Sequence, residues 1–201
     1  MIKSKLRNFK TDKRLNKITN VVKKRQPSLK VVLEDIHDPH NVSAIYRTCD
    51  SVGVPMVSLL YTKEEFPKIS RVSSSSANKW VESERYESVK DCVDSLHSNG
   101  FKVYASQLNE SAKDLYELDL TQKVAIVMGN EHRGISDEIA ELADEVFYIP
   151  MHGMIQSLNV SVAAAVTLYE AQRQRAQKGM YDVSELPEKE IEKKIDEWCA
   201  K

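Results

Sequence analysis

The stretch whose reading decides the fold runs from Ile149 to Arg175, IPMHGMIQSLNVSVAAAVTLYEAQRQR. Val146, Phe147, Tyr148 and Ile149 read as the end of a strand that Pro150 stops, because proline has no N–H to offer a ladder. A loop holding Gly153 and the trio Ser157-Leu158-Asn159 follows, and a small-residue helix starts near Val160. An open α/β sheet builds its site from polar residues placed this way, at the carboxyl ends of its strands. Two further segments share the strand–polar loop–helix shape: DIHDPHNVSAIYRT from Asp35 to Thr48, and VMGNEHRG from Val127 to Gly134. Three such loops can converge on one pocket.

Working outward, strand and helix patterns alternate. Residues 12–26 read as an amphipathic helix with Leu15, Ile18, Val21 and Val22 on one face, ended by Pro27. Strands are expected at Lys30–Leu33, Met56–Leu60, Lys102–Ser106, Val124–Met128 and 145–149. Trp80–Tyr86 reads as extended. Helices are expected at Asn41–Val52, Val89–Ser98, Ser136–Ala143 and 160–177. A last charged helix, 187–199, carries the narrow apolar stripe Ile191, Ile195 and Trp198. Thr62 to Lys79 reads as a long loop with Lys63, Lys68, Arg71 and Lys79 around four serines. The fold class is therefore α/β, a mostly parallel sheet with helices on both faces.

Composition limits the function. At 201 residues with 41% hydrophobic content, one domain with appendages is expected. No apolar run is long enough for a membrane helix, so no membrane partner is expected. The basic N-terminus lacks the apolar stretch of a secretory signal. Cys49, Cys92 and Cys199 are an odd, scattered set, which fits a reducing, cytoplasmic setting. The net charge of −1 hides an asymmetry. Residues 1–30 hold eleven basic residues and one acid, Asp12, for a charge of +10, which leaves −11 on the rest. Such an arm suits a polyanion, and the commonest is a phosphate backbone. The bland alternative is a solvated amphipathic helix.

Dinucleotide, P-loop and nucleophile-elbow signatures are all missing. His37 and His40 have metal-like spacing without further ligands nearby, and a turn capped by Asp38 or Asn41 accounts for them better; no metal is expected. Arg47, among Val42, Ala44, Ile45 and Val52, is expected to be buried and to need an anion. That anion is either Glu131 or another acid, as a structural bridge, or a substrate phosphate that the forked guanidinium fits. Gly129 permits close backbone approach to a ligand. Ser157 and Asn159 either cap the helix at 160–177 or shape a site.

Together the three segments resemble the three motifs of the SpoU (TrmH-like) RNA ribose 2′-O-methyltransferases of the SPOUT superfamily. The first corresponds to Pro39–Thr48, the second to Met128–Ile135, and the third to Ile149-Pro150-Met151 with Gln156–Ser161. Order and spacing match over about residues 25–178. Arg25-Gln26-Pro27, Lys79-Trp80-Val81-Glu82 and Leu168–Arg175 are similar to the branch that methylates the 2′-hydroxyl of guanosine-18 in the tRNA D-loop.

The resemblance implies several things. The fold would carry a C-terminal deep trefoil knot, a rare exception to unknotted chains. The organisation would be a basic helical RNA-binding extension (1–28), a SPOUT methyltransferase domain (29–178) and a C-terminal helical extension (179–201). The protein would be a homodimer with tRNA as its partner and S-adenosyl-L-methionine as methyl donor. Arg47 corresponds to the family's catalytic arginine, with Asn41, Glu131, Ser157 and Asn159 as its partners. The methyl donor would lie against Ser106, Gln107, Gly129, Ile149 and Leu158. The family often has Thr-His where this chain has Ser106-Gln107. RNA contacts are expected from Lys13, Arg14, Lys23, Lys24, Arg25, Lys68, Arg71, Arg173 and Arg175, and Arg133 can add another. The rival readings are a relative acting on ribosomal RNA or the tRNA wobble position, a non-catalytic RNA-binding protein, and a flavodoxin-like nucleotide-binding protein.

Overall fold

A computed structural model describes residues 5–67, 77–109 and 111–201. Lys68 and Arg71 lie outside them. After a short 3-10 turn at Lys5–Phe9, the elements are α1 (Asp12–Lys23), β1 (Leu29–Glu34), α2 (Pro39–Val52), β2 (Met56–Leu60), β3 (Glu82–Tyr86), α3 (Val89–Ser98), β4 (Lys102–Ser106), β5 (Lys113–Asp114), β6 (Val124–Met128), α4 (Asp137–Leu142), β7 (Glu145–Tyr148), α5 (Val160–Gln177) and α6 (Glu188–Cys199).

The seven strands form one sheet in the order β3-β2-β1-β6-β4-β7-β5, and every pairing is parallel. A parallel sheet covered on both faces needs continuous apolar strands at its centre. Val124-Ala125-Ile126-Val127-Met128 meets that need, and all five residues are buried. The edge strand Glu82–Tyr86 instead alternates exposed and part-buried positions, and its charges protect the open edge. One face packs Val31, Leu33 and Ile126 against Ile45, Cys49, Leu168 and Ala171 of α2 and α5. The other packs Val32, Val103 and Val127 against Val93 and Leu96 of α3 and Ile139 of α4.

Local chemistry sets the helix ends. Asp38 caps α2 by accepting from the His40 N–H at 2.8 Å, and Pro39 sits in the first turn, where its missing N–H costs nothing. Gly53 ends α2 at φ 88°, where a Cβ would meet Lys24 O at 2.7 Å. Ser136 caps α4, accepting from Ile139 N at 3.3 Å.

The two terminal helices pack on each other. Ile18 and Val22 of α1 meet Ile191, Ile195, Trp198 and Cys199 of α6 in a separate apolar cluster. Arg7, 9% exposed, fastens the first turn to α6 through Glu192 at 2.8 Å and Asp196 at 2.6 Å. The apolar stripe of the last helix therefore faces the first helix of the same chain.

Candidate active site

β1, β6, β4 and β7 are neighbours in the sheet. Being parallel, they deliver the loops that follow them to the same edge. There the segments after β4, β6 and β7 surround a cavity of about 860 Å³. Its walls include Ser106, Gln107, Gly129, Ile149 and Leu158, the five positions matched to the methyl donor, together with Glu131, Ser157 and Asn159. Gln107 N is already spent on Phe147 O at 2.9 Å, extending the β4–β7 pairing.

Glu131 organises the entrance. Its carboxylate accepts from the backbone of His37 at 3.0 Å and Asp38 at 3.1 Å, and from Asn41 Nδ2 at 2.8 Å. Burial opposes its charge, but the hydrogen bonds from Asn41 and from those two backbone groups hold its carboxyl below the usual range. Asn41 Oδ1 accepts in turn from Asn159 Nδ2 at 3.1 Å. Asn159 Oδ1 accepts from Ser161 N at 2.9 Å and Ser161 Oγ at 2.6 Å, which caps α5. Asn159 is thus a helix cap and a link in the chain Glu131–Asn41–Asn159. Ser157 is exposed on the cavity wall and does not cap the helix.

Several expectations are corrected. Arg47 is exposed, and no described residue forms a hydrogen bond or ion pair with it; Glu131 is committed elsewhere. The apolar residues of α2 face the sheet and Arg47 projects from the opposite side. Gly129 stands on the cavity wall, and its own chain also needs glycine there, since a Cβ would overlap the backbone of Gly134 and Ile135. Arg25, 3% exposed, pairs with Asp50 at 2.5 Å, donates to Val54 O at 3.2 Å and stacks 5.0 Å over Trp198. Arg175 is wholly buried and donates to Leu120 O, Gln122 O, Ser28 O, Ser28 Oγ and Gln26 Oε1. Both are sealed from solvent, Arg25 with its Nε buried and unpaired, so both belong to the framework and not to an RNA contact. Arg173 is 54% exposed beside Glu170. Lys13, Arg14, Lys23 and Lys24 are exposed. Arg133, considered as an RNA contact, is held by Asp35 at 3.3 Å.

Two residues at the centre of the loops escaped the sequence reading. Asn130 donates to Asp35 O at 2.7 Å and accepts from the His132 and Arg133 backbones. Asp35 adopts φ 50°, a left-handed conformation that aspartate and asparagine tolerate better than most residues. That tolerance was the available signal. Among the described residues, no group of three or more His, Cys, Asp or Glu is placed to hold a metal, and no helix is long and apolar enough to cross a membrane.

The sequence profile of the SpoU rRNA Methylase family matches residues 28–169. The chain belongs to the SpoU methyltransferase family. It is 43% identical over 192 residues to the tRNA (guanosine(18)-2'-O)-methyltransferase of Thermus thermophilus, covering 96% of this chain and 98% of that protein. Its structure is similar to that of the A. aeolicus TrmH/SpoU tRNA modifying enzyme, with a TM-score of 0.88, 40% identity, and 94% and 96% of the two chains covered. A wider similarity is to an AdoMet-bound rRNA methyltransferase from Sinorhizobium meliloti, with a TM-score of 0.64, 26% identity, and 77% and 59% covered.

Proposed function

We propose that this protein transfers a methyl group from S-adenosylmethionine to the 2′-hydroxyl of guanosine-18 in the tRNA D-loop. The observation that carries this reading is identity of 43% with a guanosine-18 enzyme over 96% of the chain, terminal helices included. A relative sharing only the catalytic core, acting on ribosomal RNA, would not match across α1 and α6.

The cavity suits the donor. Its volume falls in the ordinary range for a small-molecule site, and apolar Met128, Ile149 and Leu158 share its wall with polar Ser106 and Ser157. The bound sulfonium supplies an electrophilic methyl group, which leaves the protein mainly to position the ribose and manage its proton. Asn41 is fixed by Glu131 and Asn159 on its two polar atoms, so it offers a rigid edge beside the cavity. Arg47 projects to solvent, free to take a phosphate of the RNA with its fork and to stabilise the developing alkoxide. A free guanidinium loses its proton only above about pH 12, which favours this role over proton removal by Arg47.

We further infer that the segment 149–159 threads a deep trefoil knot and that two chains pair. Family membership supports the knot, as does the irregular path of that segment along the cavity wall. For the pair, Val162 and Tyr169 lie two turns apart on α5 and are 47% and 53% exposed, with Met154 and Ile155 bare beside the cavity. Tyr169 Oη donates to Ser51 Oγ at 3.4 Å, and Ser51 is one turn from Arg47, so this apolar face continues to Arg47. The three free, buried cysteines fit a cytoplasmic setting. The exposed cations of α1 and Arg173 supply phosphate contacts.

The experiment is methyl transfer from labelled S-adenosylmethionine to unmodified tRNA transcripts, with mapping of the product. A 2′-O-methyl at guanosine-18 is expected. Modification at another nucleotide would move the substrate, and no transfer with both ligands bound would leave a non-catalytic RNA-binding protein.

A further inference from the structure

One residue outside the machinery described above joins two loops. Asp35, 2% exposed, accepts three backbone N–H groups with Oδ1: Thr62 at 2.9 Å, Lys63 at 3.1 Å and Glu64 at 3.1 Å. Its Oδ2 takes the Thr62 hydroxyl at 3.2 Å and Arg133 Nη2 at 3.3 Å. Its carbonyl is held by Asn130 at 2.7 Å. The loop 130–134 therefore grips Asp35 at backbone and side chain, while Asp35 grips the turn 62–64. Arg133 reinforces the joint, with Nη1 3.6 Å from Glu64 Oε1, and Arg133 also lines the methyl-donor cavity.

The turn leads away from the donor towards surface chemistry that suits RNA. Lys63 is exposed at its tip. Phe66, packed edge-on against Tyr61, carries the Arg85 guanidinium 4.8 Å above its ring. A cation and an aromatic ring together make a common platform for nucleotides. The left-handed backbone of a non-glycine residue is strained, and such strain persists where the surroundings demand that geometry.

We propose that Asp35 and Arg133 are positioning residues that couple the methyl-donor loop to the 62–67 turn, so that each ligand strengthens binding of the other. A donor seated against 129–134 would fix Arg133, Arg133 would fix Asp35 and Glu64, and the turn would then present Lys63 and Phe66 in one arrangement to the RNA. Coupling between binding sites is reciprocal and needs such a shared element. This rests on the tRNA methyltransferase reading above.

The test measures affinity for an unmodified tRNA transcript with and without saturating S-adenosylhomocysteine, the unreactive product. Wild-type protein is expected to bind the transcript roughly tenfold tighter with it, a usual size for coupling. Asp35→Asn keeps a carbonyl for the turn and tolerates the backbone, but removes the charge facing Arg133. Arg133→Gln alters a side chain that is 43% exposed, so the fold should survive. In both variants, with S-adenosylhomocysteine raised to saturation for each protein, the ratio should collapse to within about twofold of one. A wild-type ratio of one, or an undiminished ratio in both variants, overturns the coupling alone. Failure of wild-type protein to bind the transcript at all would sink the functional reading and this inference with it.

Discussion

Arg47 on α2 and Arg175 on α5 sit on two helices that cover the same face of the sheet, yet their surroundings are opposite. Arg47 stands in solvent with no described partner, and Arg175 is sealed and saturated by carbonyls from two segments. A guanidinium kept free at the protein surface is ready for a ligand. One whose donors are spent is a cross-link. Here Arg175 ties α5 to the start of β1 and to the turn before β6, while Glu185 stands 3.4 Å away beyond the helix. Arg175 thus belongs to the framework, and Arg47 is the arginine proposed to meet the RNA.

Removing the cross-link should have the largest effect. Arg175→Ala strands buried carbonyls and the Glu185 charge, and should destabilise the fold by about 3–5 kcal/mol, lowering the melting temperature by on the order of 10 °C. A melting curve within 2 °C of the wild type, about 0.5–1 kcal/mol at this size, would erase the contrast. Arg47→Ala should do the reverse. Stability should move by less than about 0.5 kcal/mol, while methyl transfer falls about 10²–10³-fold. Arg47→Lys sharpens the point: near-full turnover with normal tRNA binding would show that a forked donor is not needed.

The same contrast divides the basic arm. Lys13, Arg14, Lys23 and Lys24 are exposed, whereas Arg7 and Arg25 are consumed in pairs with Glu192, Asp196 and Asp50. Exchanging one of the exposed cations for glutamine should weaken tRNA binding and lower the logarithmic salt slope by about one. Arg25→Gln should lower the melting temperature and leave the slope alone, and the reverse pattern would return Arg25 to the RNA. The smallest effect concerns pH. Because Glu131 titrates below its ordinary value in the fold, its contribution to stability is complete above the unfolded carboxylate range and is lost as pH falls through the lower folded value. Glu131→Gln should flatten stability against pH in that acidic window, and an unchanged profile would remove Glu131 from its organising role.

Much of this was legible in the chain. β2, α3, β4, β6 and α5 lie where apolar runs, the periodicity of α3 and the unbroken small-residue stretch of α5 put them. The two-residue β5, Lys113-Asp114, carries no pattern and is made a strand only by the neighbouring β7. Even the two arginines had a readable signal. On α5, Ala164, Leu168, Ala171 and Arg175 follow at spacings of four, three and four, which places Arg175 on the buried stripe. On α2, Val42, Ile45, Tyr46, Cys49 and Val52 share a face that excludes Arg47. Charge and local neighbours suggested otherwise, and helical phase was the better guide. The meeting of the motif loops was legible too, since parallel neighbouring strands leave them no other edge, but the first motif joins the cavity's other two only through hydrogen bonds and does not line its wall. The joint at Asp35 was not, because three successive backbone groups on one carboxylate have no sequence pattern.

The most direct test is single-turnover methyl transfer to unmodified tRNA by wild-type protein and Arg47→Ala, with the product mapped and tRNA binding measured alongside. The wild type is expected to 2′-O-methylate guanosine-18, and the variant, still folded and binding, to lose at least about a hundredfold in rate. Equal rates in the two proteins would contradict it.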